Sequence, residues 1–214
     1  YFVIIYGIYR YKGFIYLFIL VTLIHYIYPY FNNNLEITMF DVGEGDSYLV
    51  SFPNNGGNIL IDTGEDDGYS IMKNNIIMYL KSRGIRKLDY VIISHGDKDH
   101  IGGLINLTDN FMVDMVIFNR GDKSLLEEEA IDIFEDKGIE YDTFGDKIDI
   151  HGIYLYFLND KIFDNENDNS NVIYFEYLKY KFLFMGDASS NVEDYIMSKY
   201  NLSDITFFKV GHHG

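Results

Sequence analysis

The chain has 214 residues, enough for one well-filled core, and 48% of them are apolar, including 20 Tyr and 17 Phe. It has no cysteine, which excludes a disulfide framework and any thiolate metal site. The formal net charge is −16 and the first 34 residues hold only Arg10 and Lys12, so the rest carries −18, which argues against a broad basic face for nucleic acid.

Residues 1–13 are mostly apolar and read as the end of a preceding membrane segment followed by a cytoplasmic turn at Arg10 and Lys12. Residues 14–31 carry no formal charge, and as a helix they would be about 27 Å long, near the thickness of a hydrocarbon core. They read as a transmembrane helix with an interfacial belt at Tyr16, Tyr26, Tyr28 and Tyr30, and Pro29 near its exit. The positive-inside rule keeps Arg10 and Lys12 cytoplasmic, so everything after Phe31 is expected outside the cell membrane. Asn32, Asn33 and Asn34 form a polar linker, and 35–214 is expected to be one domain.

Three short strands follow, Leu35 to Phe40, Ser47 to Phe52 and Asn58 to Ile61, separated by turns rich in Gly, Asn and Pro. The first turn contains Gly43, Gly45 and Asp46, and the third strand runs into Asp62. Tyr69 to Arg83 has helical spacing and stops at Gly84. Asp89 to Ser94 is an apolar strand, and a short helix is expected after the Gly102-Gly103 step. Phe111 to Phe118 is a further strand. Ser124 and Glu127 form a capping box that opens a helix to about Lys137. Residues 139–159 alternate apolar and polar in a hairpin-like way, with turns at Gly145-Asp146 and His151-Gly152. The polar loop 164–171 precedes the strands Val172 to Tyr177 and Tyr180 to Met185. A second capping box is expected at Ser190 and Glu193, and Ile205 to Val210 is the last strand. Strands alternating with helices indicate a layered α/β domain.

The chemistry is concentrated where strands end. His95-Gly96-Asp97-Lys98-Asp99-His100 places two imidazoles and two carboxylates in six residues, the donor types that bind borderline and hard divalent cations. Gly186-Asp187 ends a second apolar strand, and Gly211-His212-His213 ends a third.

These motifs, taken in order with Asp41-Val42-Gly43-Glu44-Gly45-Asp46-Ser47 and Ile61-Asp62-Thr63-Gly64, resemble the metallo-β-lactamase fold. The nearest branch is the C-terminal domains of the ComEC family of DNA-internalisation competence proteins. The resemblance implies an αββα sandwich binding two divalent metal ions, Mn or Zn. It assigns His95, Asp97 and Asp187 to one ion, and Asp99, His100, Asp187 and either His212 or His213 to the other. Asp187 bridges, and Asp99 is a ligand or a proton acceptor. Asp62 is implied to lie beneath the metals and orient a histidine, with Asp46, Ser170 and Lys209 in the surrounding loops. Many members of the fold carry a further histidine before Asp187. Here Ser170, an asparagine carbonyl or water takes that place.

Two ions about 3.5–4 Å apart lower the pKa of a water and clamp a phosphoryl oxygen, so the implied activity is phosphodiester hydrolysis. The implied substrate is DNA, in single-stranded form, and the implied partners are the membrane, through the N-terminal helix, and an upstream channel domain. The charge keeps open an extracellular hydrolase of another phosphodiester or ester, and a non-catalytic domain of a DNA channel is a third reading.

Overall fold

A computed structural model describes residues 6–7, 10–65, 72–143 and 145–213, apart from the side chains of Pro29 and His213. Two sheets lie face to face with helices on their outer sides. In one sheet the strands run in the order β1 (Glu36–Met39), β2 (Tyr48–Ser51), β3 (Asn58–Ile61), β4 (Lys87–Ile92), β5 (Met112–Phe118) and β6 (Glu140–Thr143). The other runs β11 (Phe207–Lys209), β10 (Tyr180–Phe184), β9 (Ile173–Tyr177), β8 (Ile153–Phe157) and β7 (Lys147–Ile150).

Burial explains the layering. Strand β3 is buried along its whole length, as expected of a strand covered on both faces. Its even positions face the outer helices and its odd positions the opposite sheet. Thus Leu60 joins Leu49, Val91, Val116 and Phe134 under the helices, while Ile59 and Ile61 join Ile92, Ile117, Phe175 and Phe184 between the sheets. Phe175 stacks on Phe182 with centroids 4.6 Å apart, locking β9 to β10. A third apolar cluster, around Leu183, Val192 and Ile196, seats α6 (Ser190–Lys199) on the second sheet. This is the expected αββα sandwich.

Strands β3 to β6 are parallel neighbours, so β3, β4 and β5 deliver their carboxyl ends to one edge. In the second sheet β10 and β11 are parallel too, with Phe184 opposite Lys209. The edges are joined by main chain, Asn171 N–H donating to Ser94 O at 2.8 Å. The loops after β3, β4, β10 and β11 therefore open on the same crevice.

Several expectations are corrected. The helix expected over 14–31 is α1 (Lys12–Ile27), 16 residues long, followed by a 3₁₀ turn at Tyr28–Phe31. At 1.5 Å per residue it is about 24 Å long, and it begins on a charged residue. Pro29 has no N–H with which to extend it. Among the described residues no helix is long and apolar enough to cross a membrane. None of its residues is buried, although Arg86 lies over the Tyr26 ring, 4.1 Å from its centroid.

The expected helix over 69–83 begins outside the described residues. The described part is a π turn, Met72–Ile77, leading into α2 (Met78–Ser82). Two helices, α3 (Lys98–Ile101) and α4 (Leu104–Asn110), flank Gly102-Gly103 where one was expected after it. In the segment 139–159 the expected turn at His151-Gly152 closes the hairpin of β7 and β8, whereas β6, before the turn at Gly145-Asp146, pairs parallel with β5 in the other sheet. The capping box at Ser124 has both halves and opens α5 (Leu125–Lys137). The second helix is capped by Ser189, one residue before the expected Ser190, through Asn191 N–H.

Candidate metal centre

Asp62 is the floor of the site. Leaving β3, it takes a left-handed conformation at φ +59°, one that Asp tolerates better than most residues. Its carboxylate, 1% exposed, accepts Ser94 N–H at 2.6 Å, Ser94 Oγ–H at 2.8 Å and His100 Nδ1–H at 2.9 Å. This network sets both tautomers. Ser94 has one hydroxyl proton and gives it to Asp62, so its oxygen accepts from His95 Nδ1, 3.1 Å away. In both imidazoles Nδ1 is the donor and Nε2 faces the crevice.

The two rings lie 4.2 Å apart and titrate in opposite directions. Burial, reinforced by His100, pushes the His95 pKa down and keeps it neutral. His95 Nε2 is buried and makes no hydrogen bond. Burial alone would depress His100 too, but the Asp62 and Asp187 carboxylates outweigh it and push its pKa up to about 10. Without a cation, His100 therefore carries a second proton on Nε2.

Around these nitrogens stand the carboxylates. Asp97 Oδ2 is 3.3 Å from His95 Nε2, while Asp99 Oδ2 and Asp187 Oδ1 are 3.5 Å and 3.4 Å from His100 Nε2. Asp97 occupies the position that caps α3 yet makes no side-chain capping bond there, and it is half exposed. His212 Nδ1 approaches Asp187 Oδ2 from the open side at 3.4 Å. It does so from a left-handed backbone, φ +51°. The His213 side chain lies outside the described residues.

Ligand atoms of His95, His100 and Asp187 fall within 4.8 Å of one another, as do those of Asp46, Asp62 and His100. The unsatisfied imidazole nitrogen and this nitrogen and carboxylate donor set fit divalent cations. His95, Asp97, Asp99, His100, Asp187 and His212 converge where these strands end, with His95, His100 and Asp187 buried and Asp97, Asp99 and His212 partly or largely exposed. Ser170 Oγ accepts the Asp187 N–H at 3.1 Å, so it holds the backbone of that loop. Lys209 pairs with Asp46 and lies 3.5 Å from Asp187 Oδ1.

Sequence reasoning passed over Ser94, because a serine at a strand end has many ordinary uses. It also passed over the groups that hold Gly96: Ser124 Oγ–H donates to Gly96 O at 3.0 Å, and Gly96 N–H donates to Glu166 at 3.2 Å. A side chain at 96 would press into Ser124 and Glu166, which explains glycine there. Asn167 donates to His212 Nδ1 at 3.2 Å and Asn171 to Ile93 O at 2.8 Å, giving the polar loop a structural purpose.

Comparison with known proteins matches residues 40–214 to the metallo-beta-lactamase superfamily. ComE operon protein 3 of Bacillus subtilis (strain 168) is 28% identical over 206 residues, covering 88% of this chain and 26% of that protein. Recombination protein 2 of Haemophilus influenzae is 30% identical over 186 residues, covering 84% of this chain and 21% of that protein. The chain thus spans about a quarter of the length of these relatives. Among solved structures, a motif variant of a metallo-β-lactamase from Cronobacter sakazakii superposes with a TM-score of 0.51 at 14% identity. That alignment covers 84% of this chain and 70% of that one, a likeness of fold.

Proposed function

The chain belongs to the metallo-β-lactamase superfamily, and from that premise we propose that it hydrolyses phosphodiester bonds of DNA during competence-related uptake. The observation that carries this reading is the buried His95–His100–Asp187 set, one imidazole kept neutral with its Nε2 bare, at the mouth of a crevice. The relatives named ComE operon protein 3 and Recombination protein 2 support DNA as the substrate class.

His95, Asp97 and Asp187 would hold one divalent ion, and Asp99, His100, Asp187 and His212 the other. When bound, two such ions lower the pKa of a water and polarise the phosphoryl oxygen. The ions would be manganese or zinc, the carboxylate share of the donor set admitting manganese more readily than an all-histidine site would. Asp62 keeps His100 Nε2 turned to the crevice, and Ser94 does the same for His95. Asp99, partly exposed, would serve either as a metal ligand or, alternatively, as the acceptor of a proton from water.

By the same reading the domain works at the cell membrane on its extracellular side, as one part of a longer protein whose upstream portion forms the DNA channel. The domain charge of −18 would repel free DNA. Incoming single strands would accordingly be handed over by that channel rather than captured from solution. The charge also favours the second reading, an extracellular hydrolase of a different phosphodiester or ester; a non-catalytic channel domain is the third.

The test is hydrolysis of end-labelled single- and double-stranded oligonucleotides with Mn²⁺, Zn²⁺ or EDTA, beside bis-(p-nitrophenyl) phosphate and a carboxylic ester. Metal-dependent DNA cleavage supports the proposal. Turnover of the small esters with DNA left intact supports the second reading. No turnover and no bound metal supports a non-catalytic domain.

A further inference from the structure

Lys209 ends β11 and points into the protein, 7% exposed. Burying a lysine is costly unless its donors find acceptors. Here Nζ donates to Gly186 O at 2.7 Å, pairs with Asp46 Oδ2 and lies 3.5 Å from Asp187 Oδ1. Three N–H donors thus meet three acceptors. Two of these belong to the Gly186-Asp187 turn, and both Asp46 and Asp187 are at least as buried as the lysine.

Asp46 is itself held in place. Gly45, at φ +91°, packs so tightly on the metal loop that a Cβ there would sit 1.7 Å from Asp99 O. The next N–H, of Asp46, donates to that oxygen at 3.3 Å. The Tyr48 hydroxyl also bonds to Asp46. The turn after β1 is therefore held against the metal loop and gives the lysine a second carboxylate besides Asp187.

We propose that Lys209 is a positioning residue for Asp187, holding the carboxylate between its two cation sites, with Asp46 as the anchor that keeps the ammonium there. The inference rests on the two-ion reading above. Charge supports it. Asp46, Asp62, Asp97, Asp99 and Asp187 together bring five negative charges, which two divalent cations and one ammonium balance, whereas the same cluster without Lys209 does not. Removing Asp46 and Lys209 together leaves the net charge unchanged. A change in metal binding in such a variant reports orientation of Asp187 rather than attraction.

The experiment uses the full chain and Mn²⁺ alone as probe. Lys209→Met leaves Asp46 and Asp187 buried without their cation, and its melting temperature in EDTA should fall steeply. The pair Asp46→Asn/Lys209→Met should recover most of that loss, since replacing both members of a buried ion pair is often close to neutral. Its weaker Mn²⁺ site should nevertheless bind at least about tenfold less tightly by calorimetry, with kcat lowered and KM little changed. A folded double variant that binds two Mn²⁺ like the parent would overturn the proposal and reduce Lys209 to a structural tie.

A second observation needs no variant. In crystals of the Mn²⁺-loaded parent, Nζ should remain on Gly186 O and Asp187 Oδ1, and an ammonium turned away from both overturns the inference. A parent that takes up no Mn²⁺ overturns the metal-centre reading itself, which the parent control identifies separately.

Discussion

Replacing Asp62 by Asn tests how the floor of the site prepares its histidines. The left-handed backbone at 62 is one Asn also accepts, so the change isolates the carboxylate. Asn keeps one acceptor for Ser94 N–H but presents an NH₂ to His100 Nδ1. That ring must then move its remaining proton to Nε2, the nitrogen facing Asp187 and Asp99, and Nε2 ceases to be a ligand. Losing a partner that orients a ligand histidine costs about 10–100-fold in metal affinity, or about 1.4–2.7 kcal/mol. Without metal the variant also loses the buried His100–Asp62 pair, a loss of about 3–5 kcal/mol in comparable cases. Competition calorimetry against a chelator measures the first and melting in EDTA the second. Parent-like affinity, within about twofold, in a folded Asp62→Asn protein would refute the tautomer argument.

Four further outcomes follow from the same geometry. His95→Ala or Asp187→Ala should abolish hydrolysis while leaving the domain folded, as circular dichroism and an activity assay will show; full activity in either would exclude this site. Because the His100 pKa is raised to about 10, a cation at Nε2 must displace a proton. Near neutral pH, calorimetry in buffers of different ionisation enthalpy should record about one proton released, with affinity rising as pH rises; no proton release would contradict the assignment. The same raised value means that the His100–carboxylate contacts stabilise the metal-free fold fully below about pH 6.5 and are lost as pH climbs through about 10. Gly45→Ala combines a left-handed backbone with a collision on Asp99 O and should destabilise by more than about 2 kcal/mol in chemical denaturation; near-parent stability would show that the turn is free to move.

Much of this was legible in the residues, for identifiable reasons. His95, Asp97, Asp99 and His100 stand out because so many donors in one short turn have few other uses, and Asp187 and the His212-His213 pair because each follows an apolar strand, although the sequence does not choose between the two histidines. The layered α/β class follows from strands alternating with helices, while the two-sheet arrangement came from the family resemblance; a uniformly apolar run such as Ile59-Leu60-Ile61 does not show that its side chains divide between two cores. Ser94, Glu166 and Asn167 were not legible in their roles, since each depends on contacts between segments far apart in the chain. The placement of β6 beside β5 was hidden likewise, because local alternation reveals a strand and not its partner. Helix α1 was misjudged in length, since apolar composition counts residues that the 3₁₀ turn at Tyr28 removes from the regular helix.

The most direct test of the central claim is a metal titration of DNA cleavage: metal-free protein, a labelled single-stranded oligonucleotide, and Mn²⁺ added in substoichiometric steps, with Asp187→Asn in parallel. The account predicts no cleavage in EDTA, a rise that saturates when two ions are bound, and none in the variant. Cleavage that persists in EDTA, or that Asp187→Asn leaves intact, would contradict it.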